Sequence, residues 1–338
     1  MPRTPIFVTA LLAFSAVQAG AQQYTWNGMR PDAVGPAGVL GDRVLGQGVI
    51  EVTAAFTSNG HEGVRFGSDF LSFEDVFDLD FAVAPLSLGT EVLELQAAFG
   101  VQDNLTVIVR TAWMNKSRTQ LTNSLEFFEL ESSGISDTEA HVLYELFNSG
   151  GVRAHVQGGL IVPTGSVDAE GAVVGVRTGV LPYDMQLGGG VFGFMPGLTV
   201  QSQNDAGTVG AQIVGRIYVG ENDRGWAPGN AIEANAWAAV HLNDYFSASA
   251  RLRAVGWGAI EGFDADLDPF RDPGELPVSF GGELIQIPIG LNVYMPHGVL
   301  AGHRLTVEWI STAHESLDGP WLAADNGFVI SWQKAFYR

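Results

Sequence analysis

The chain has 338 residues, no cysteine, 37 acidic against 17 basic residues, and a formal net charge of −20. With no basic patch to neutralise phosphates, nucleic acid is excluded as a partner, and without cysteine neither disulfides nor thiolate-bound metals are available. Mean hydropathy is nevertheless +0.15, and 43 glycines are present, so a chain with this much apolar surface needs a place to put it.

The N-terminus reads as a secretory signal over residues 1–21. Arg3 is the basic start, residues 6–17 are the apolar run, and Ala19-Gly20-Ala21 is a small-residue cleavage site before Gln22. That run is too short to cross a bilayer as a helix, and charges or glycines interrupt every other apolar run. Residues 22–46 are rich in Gly and Pro and lack alternation. They form a periplasmic N-terminal segment that either lies under a barrel, enters its lumen as a small plug, or serves as a flexible leader.

From residue 47 to 338 the pattern changes to strand period. Short connections carrying Asn, Asp, Ser and Gly, such as Asn148-Ser149-Gly150-Gly151 and Asn204-Asp205-Ala206-Gly207, alternate with long ones at 58–88, 115–133, 164–184, 220–230, 258–282 and 314–324. Short and long in alternation is the rhythm of periplasmic turns and extracellular loops. It predicts an all-β, antiparallel up-and-down transmembrane barrel of about twelve strands with both termini periplasmic.

The faces support this reading. In the last stretch, 325–338, Phe328, Ile330, Trp332 and Phe336 share one parity with Lys334, and Gly327, Val329, Ser331, Gln333 and Ala335 share the other. An aromatic face opposite a small or polar one suits a barrel with lipid outside and water inside. Asp325-Asn326-Gly327-Phe328-Val329-Ile330-Ser331-Trp332 also has the form of the C-terminal signal read by barrel-insertion machinery. The last strand is expected to pair with the first, leaving no edge in the membrane.

Alternation also names the lumen. The inward set is Glu94, Arg110, His141, Arg153, His155, Arg216, Tyr218, Glu233, Trp237, Arg251, Arg253 and Glu308. A charge facing lipid at mid-membrane costs about 2–4 kcal/mol, which is why mid-strand charges gather on one parity. Tight turns set Glu94 near Arg110, Asn235 opposite Arg253 with Glu233 one diagonal step away, and Arg251 beside Trp237, within reach of cation–π stacking. Arg251 and Arg253 together make a positive spot that would favour anionic or aromatic-carboxylate solutes. A lumen filled by such ion pairs could equally be sealed.

The long loops are acidic, which makes either a solvated surface or a divalent-cation site suited to anionic lipopolysaccharide. Asp264, Asp266, Asp268, Asp272 and Glu275 occupy positions one, three, five, nine and twelve of a calcium loop, but Pro269 stands where the sharp turn needs glycine. These are weak metal candidates, and no cofactor is expected. Nor is an enzyme: a barrel phospholipase needs a Ser–His–Asn or Ser–His–Asp set on the lipid face, and the lipid-facing parities read as free of histidine.

Several motifs occur in order: Arg30-Pro31-Asp32, Gly38-Val39-Leu40-Gly41-Asp42, Ser132-Ser133-Gly134-Ile135-Ser136-Asp137, Val162-Pro163-Thr164-Gly165-Ser166, Leu181-Pro182-Tyr183-Asp184-Met185-Gln186-Leu187-Gly188, Gly220-Glu221-Asn222-Asp223, Gly302-His303-Arg304-Leu305 and Leu317-Asp318-Gly319-Pro320. As a set, covering nearly all of the mature chain, they resemble the outer-membrane barrels labelled as the meta-pathway phenol degradation family. The resemblance implies a Gram-negative outer membrane, contact with its lipid and lipopolysaccharide, and transport of aromatic or other small organic solutes without turnover. The Met- and His-rich strands of some relatives are absent, with only 6 Met and 7 His in the chain, so no metal role carries over. The competing expectation is a sealed structural or interaction barrel acting through its acidic loops.

Overall fold

Residues 24–337 are described by a computed structural model; the signal segment at 1–21 lies outside the described residues. Twelve antiparallel strands close into a ring: β1 (Ile50–Gly67), β2 (Val83–Gln102), β3 (Leu105–Thr122), β4 (Thr138–Ser149), β5 (Val152–Val162), β6 (Gly193–Asn204), β7 (Gly207–Tyr218), β8 (Ala231–His241), β9 (Phe246–Trp257), β10 (Ile289–Tyr294), β11 (His303–Ile310) and β12 (Thr312–Phe336). Each strand pairs with its predecessor, and β12 pairs with β1 from Phe336 opposite Ile50 to Leu322 opposite Val64. Closure leaves no unpaired edge for lipid to meet.

Short turns lie at one end. Between β4 and β5, Gly150 and Gly151 take φ of +61° and +76°. Two consecutive left-handed residues match the twist of a tight hairpin, and only glycine takes them without steric cost. At the other end the wall continues well past any membrane. A short strand, Phe127–Ile135, folds back on β3, and Gly282–Gln286 bridges β9 to the first residues of β12. The connections expected at 58–88 and 115–133 are therefore largely strand. No helix among the described residues is long and apolar enough to span a membrane; the strands do the crossing.

The side chains alternate as their polarity requires. Leu95 is 54% exposed, whereas Ala98, on the opposite parity of the same strand, is 3% exposed. Leu93, Val109, Trp113, Ile213, Leu252, Val307 and Trp309 are likewise exposed on the outside, while Thr106, Gln157, Thr199, Gln212, Asn235 and Glu308 are buried within. An apolar exterior around a polar interior is the inverse of a soluble sandwich, and it makes this a membrane-spanning barrel of the outer-membrane kind. One face assignment needs correcting. His303 lies on the outward parity of β11 and accepts a hydrogen bond at 3.0 Å from the indole of Trp332, so the outer face does carry a histidine, at the short-turn end.

A lipid-soluble probe should accordingly label single cysteines at 328, 330 and 332 faster than those at 329, 331 and 333. In the structure Ile330 and Trp332 are exposed, and Val329 and Ser331 are buried. Faster labelling of the second set would overturn the assignment of faces.

Candidate functional site: the lumen

The inward residues converge on three structures within the barrel: a threaded N-terminal segment, a band of alternating charges, and a dome of loops. The segment before β1 lies inside the wall and is bound mainly through its backbone. The imidazole Nε2 of His155 donates to the Gly41 carbonyl at 2.9 Å, Gln212 donates to the Leu40 carbonyl at 2.6 Å, and Gln201 donates to the Asp42 carbonyl. The Leu45 N–H donates to Thr106 at 2.8 Å. Nearer the short turns, Arg304 donates to the carbonyls of Gly28 and Arg30, and Arg153 stacks on Trp26 at 4.6 Å. Asp32 is fully buried, paired with Arg30 at 2.8 Å and accepting from Thr208.

The segment also brings an apolar knot into an otherwise polar interior. Leu45 packs with Ala98, Ile108 and Leu143, which explains why Ile108 and Leu143 sit on the inward parity. At its exit the chain passes so close to β2 that a Cβ on Gly100 would overlap the carbonyl of Gly46. Arg43 pairs with Asp42 at 3.0 Å and with Glu51 of β1, and it reaches Gln333 of β12 at 3.3 Å.

Above the segment runs the charge band. Arg110 bridges Glu94 at 3.0 Å and Glu139 at 2.6 Å, and Glu139 also accepts from His141 at 3.0 Å. Arg216 approaches Glu139 at 3.6 Å. Glu233 pairs with Arg253 at 2.8 Å and accepts from Asn235 at 2.8 Å, and Arg253 also donates to Gln286. Gln96 stands opposite Arg110, with Glu94 one register step from the place the turn suggests, and Asn235 stands opposite Arg253 as the turn requires.

Arg251 differs from the sequence expectation. It does face Trp237 across the strand pair, but its guanidinium turns to Glu308 at 3.2 Å, to Asn235 at 2.9 Å and to the Gly38 carbonyl at 3.4 Å. A buried guanidinium gains more from a carboxylate than from a ring face. The Trp237 ring instead lies against Gly210, in space a Cβ would occupy. Glu308 completes the knot by accepting from the Gly38 N–H at 3.1 Å.

Over the long-loop end the connections pack into a dome. Its core is Leu130, Leu181, Met185, Leu317, Trp321 and Leu322, with Tyr183 and Trp226 in a second cluster alongside. The acidic residues read as calcium ligands or as a solvated surface hold this dome together. Asp272 accepts both 2.5 Å contacts of one Arg118 nitrogen, and Asp184 pairs with another nitrogen of Arg118 at 3.1 Å. Arg224 clamps Asp264, Asp266 and Asp168, and Arg271 pairs with Glu275 at 2.7 Å. Asp268 caps the local turn by accepting from the Phe270 N–H. Asp264 and Asp266 thus share Arg224 while Asp268, Asp272 and Glu275 each have another partner, and Asp264, Asp272 and Glu275 are buried. Lys116 adds two bonds, to the carbonyls of Asp184 at 2.7 Å and Gln186 at 2.6 Å.

Asp137, which alternation places with Glu139 facing inward or at the outer mouth, accepts from the N–H groups of Gly165 and Gly189, whereas Lys116 and Arg118 are not legible as lumen residues in the sequence. Ser136-Asp137, Gly165 and the 181–188 run all belong to the quoted motifs, and that recurrence was the available signal.

Burial pushes the Glu275 carboxyl up to about 7 from its ordinary 4.5, despite Arg271 beside it. The folded loop therefore favours the neutral acid. The resulting stabilisation is fully present below pH 4.5 and is lost as pH rises through about 7. Proteolysis within 264–280 should be faster at alkaline than at mildly acidic pH, and Glu275→Gln should flatten that dependence. A pH-independent cleavage rate in the unmodified protein would refute it.

Among the described residues the lumen holds a small cavity of about 160 Å³ beside residues 34–42 and two larger ones between segment and dome. The upper, about 480 Å³, is bounded by the charge band below and by Tyr183, Trp226, Trp257 and Phe280 above. The lower, about 390 Å³, reaches Gly38, Arg251 and Arg253. Arg110 and Arg216 line both.

No family model matches the chain, and no curated protein does. Among solved structures it is similar to the COG4313 outer membrane channel from Pseudomonas putida F1, at 11% identity and a TM-score of 0.60, covering 90% of this chain and all (100%) of that one. It also aligns with a Pseudomonas aeruginosa FadL homologue at 9% identity and a TM-score of 0.42, covering 94% and 96% of the two chains. At these identities the first likeness speaks to the fold and the second carries no argument.

Proposed function

We propose that the protein is an outer-membrane channel for small organic solutes, without enzymatic turnover, whose residues 24–48 form a plug in the periplasmic half of the lumen. In this reading the short turns face the periplasm and the dome faces outside. The observation that carries it is the pair of cavities that share Arg110 and Arg216 in their linings. A barrel needed only as a wall has no use for a polar, charged space between plug and dome, whereas a selective path needs a small chamber with convergent polar groups. The likeness to a channel of the same fold supports the reading.

The density of bonds around the segment favours a second reading, a sealed barrel acting through its loops. Planar-bilayer recording separates the two. Stable, small conductance steps from folded, heat-modifiable protein are expected. Silence from protein of the same quality would favour the sealed barrel.

A further inference from the structure

We propose that the upper cavity is a binding station for a small organic monoanion, with its carboxylate on Arg216 and its flat apolar body against the aromatic wall above. This rests on the channel reading and names the solute class it would take.

The arginines of the lumen are not equally engaged. The side chains of Arg251, Arg110 and Arg253 are 2%, 16% and 28% exposed, and each has a carboxylate within 3.2 Å. The side chain of Arg216 is 44% exposed, and its ion pair is the 3.6 Å approach to Glu139. Glu139 directs its other oxygen to Arg110 and His141, and Arg216 also bonds to the Tyr218 hydroxyl. A guanidinium carries five N–H donors and no acceptor, so Arg216 brings unspent donors into the cavity.

The anionic groups facing the same space are answered. Glu94 has Arg110, Asp184 has Arg118, and Asp137 has two backbone N–H groups. Four carboxylates, Glu94, Asp137, Glu139 and Asp184, and three cations, Arg110, Lys116 and Arg216, line the cavity, and Arg110 serves two of the carboxylates; among the described lining residues the exposed, incompletely used donor is the Arg216 guanidinium. A planar carboxylate fits one guanidinium through two parallel hydrogen bonds.

The ceiling selects the body of the ligand. Tyr183 meets Trp226 edge to face at 5.1 Å and Phe280 at 5.9 Å, with Trp257 completing the wall. These rings hold one another in place, so the apolar surface is preformed. About 480 Å³ lies within the usual size of small-molecule sites. The notion of an anion-favouring spot at Arg251 and Arg253 thus moves to Arg216, because the first two are already satisfied.

Calorimetric titration of the full-length protein in detergent, with sodium benzoate as probe, tests this. Saturable binding is expected, weakened about tenfold or more by Arg216→Gln and partly restored in Arg216→Lys, with all three proteins showing the heat-modifiable gel shift. Benzyl alcohol, with the same ring but no charge, should not saturate over that range. Equal benzoate affinity in Arg216→Gln, or equal binding of benzyl alcohol, would overturn the station. Because the titration needs no current, benzoate binding by a silent barrel would sink the channel reading alone, and conductance without benzoate binding would sink the station alone.

Discussion

Deleting residues 24–46 from the mature chain is expected to raise single-channel conductance several-fold and to lower the temperature at which the barrel loses its compact gel mobility. The segment fills the lower lumen and bonds to β3, β5, β6, β7, β9 and β11 through Thr106, His155, Gln201, Gln212, Arg251 and Glu308. Each such bond is worth about 0.5–1.5 kcal/mol. Water entering a polar lumen replaces much of that, so the stability loss stays well below their sum. The apolar contact of Leu45 with Ile108 and Leu143 has no aqueous substitute. Conductance would rise because the segment's volume is removed from the lower lumen. Unchanged conductance in a folded deletion variant would show that these residues do not restrict the path.

The second large effect is expected at the dome. Arg118 is fully buried, holds Asp272 and Asp184, and lies over Trp321 at 5.0 Å. A Cβ on Gly274 would come within 2.6 Å of its guanidinium, so the loop bearing Asp272 is fitted around it. Arg118→Ala leaves two buried carboxylates without a cation, a loss of about 3–5 kcal/mol. The loops should detach rather than keep them dry, and chymotrypsin should cut between 260 and 285 in the intact barrel. Replacing all three, as Arg118→Met with Asp184→Leu and Asp272→Leu, removes the charges together and should restore most of the protease resistance. If the single variant resisted cleavage as well as the parent, Arg118 would not be holding the dome.

These two regions mark the limit of what the chain reveals when read alone. Within the membrane every lipid-facing charge is penalised, so parity is strict, and Glu94 with Arg110 or Asn235 with Arg253 can be placed from a turn and a count. Past the membrane that penalty lapses. Asn115, Lys116, Ser117, Arg118, Thr119 and Gln120 are polar on both parities, and they read as loop although β3 runs to Thr122. The partners of Arg118 are 66 and 154 residues away, and those of Arg224 are 40 and more, distances over which no local pattern persists. The N-terminal segment hides for another reason. Most of its bonds to the barrel use backbone groups, among them the carbonyls of Gly38, Leu40, Gly41 and Asp42, groups that every residue possesses.

Arg43 ties the segment to the seam where the barrel closes. The seam joins Ile50 to Phe336, so nearly the whole chain must be gathered before its first and last strands meet, and that pairing bears the largest loop-closure entropy of any in the wall. Arg43 grips Glu51 on one side of the seam and Gln333 on the other, while Gln333 donates to Glu51 at 2.9 Å. The clasp is complete only when both strands stand in register and the leader is already seated within. A barrel without the seated segment lacks these bonds of Arg43 across its closing joint.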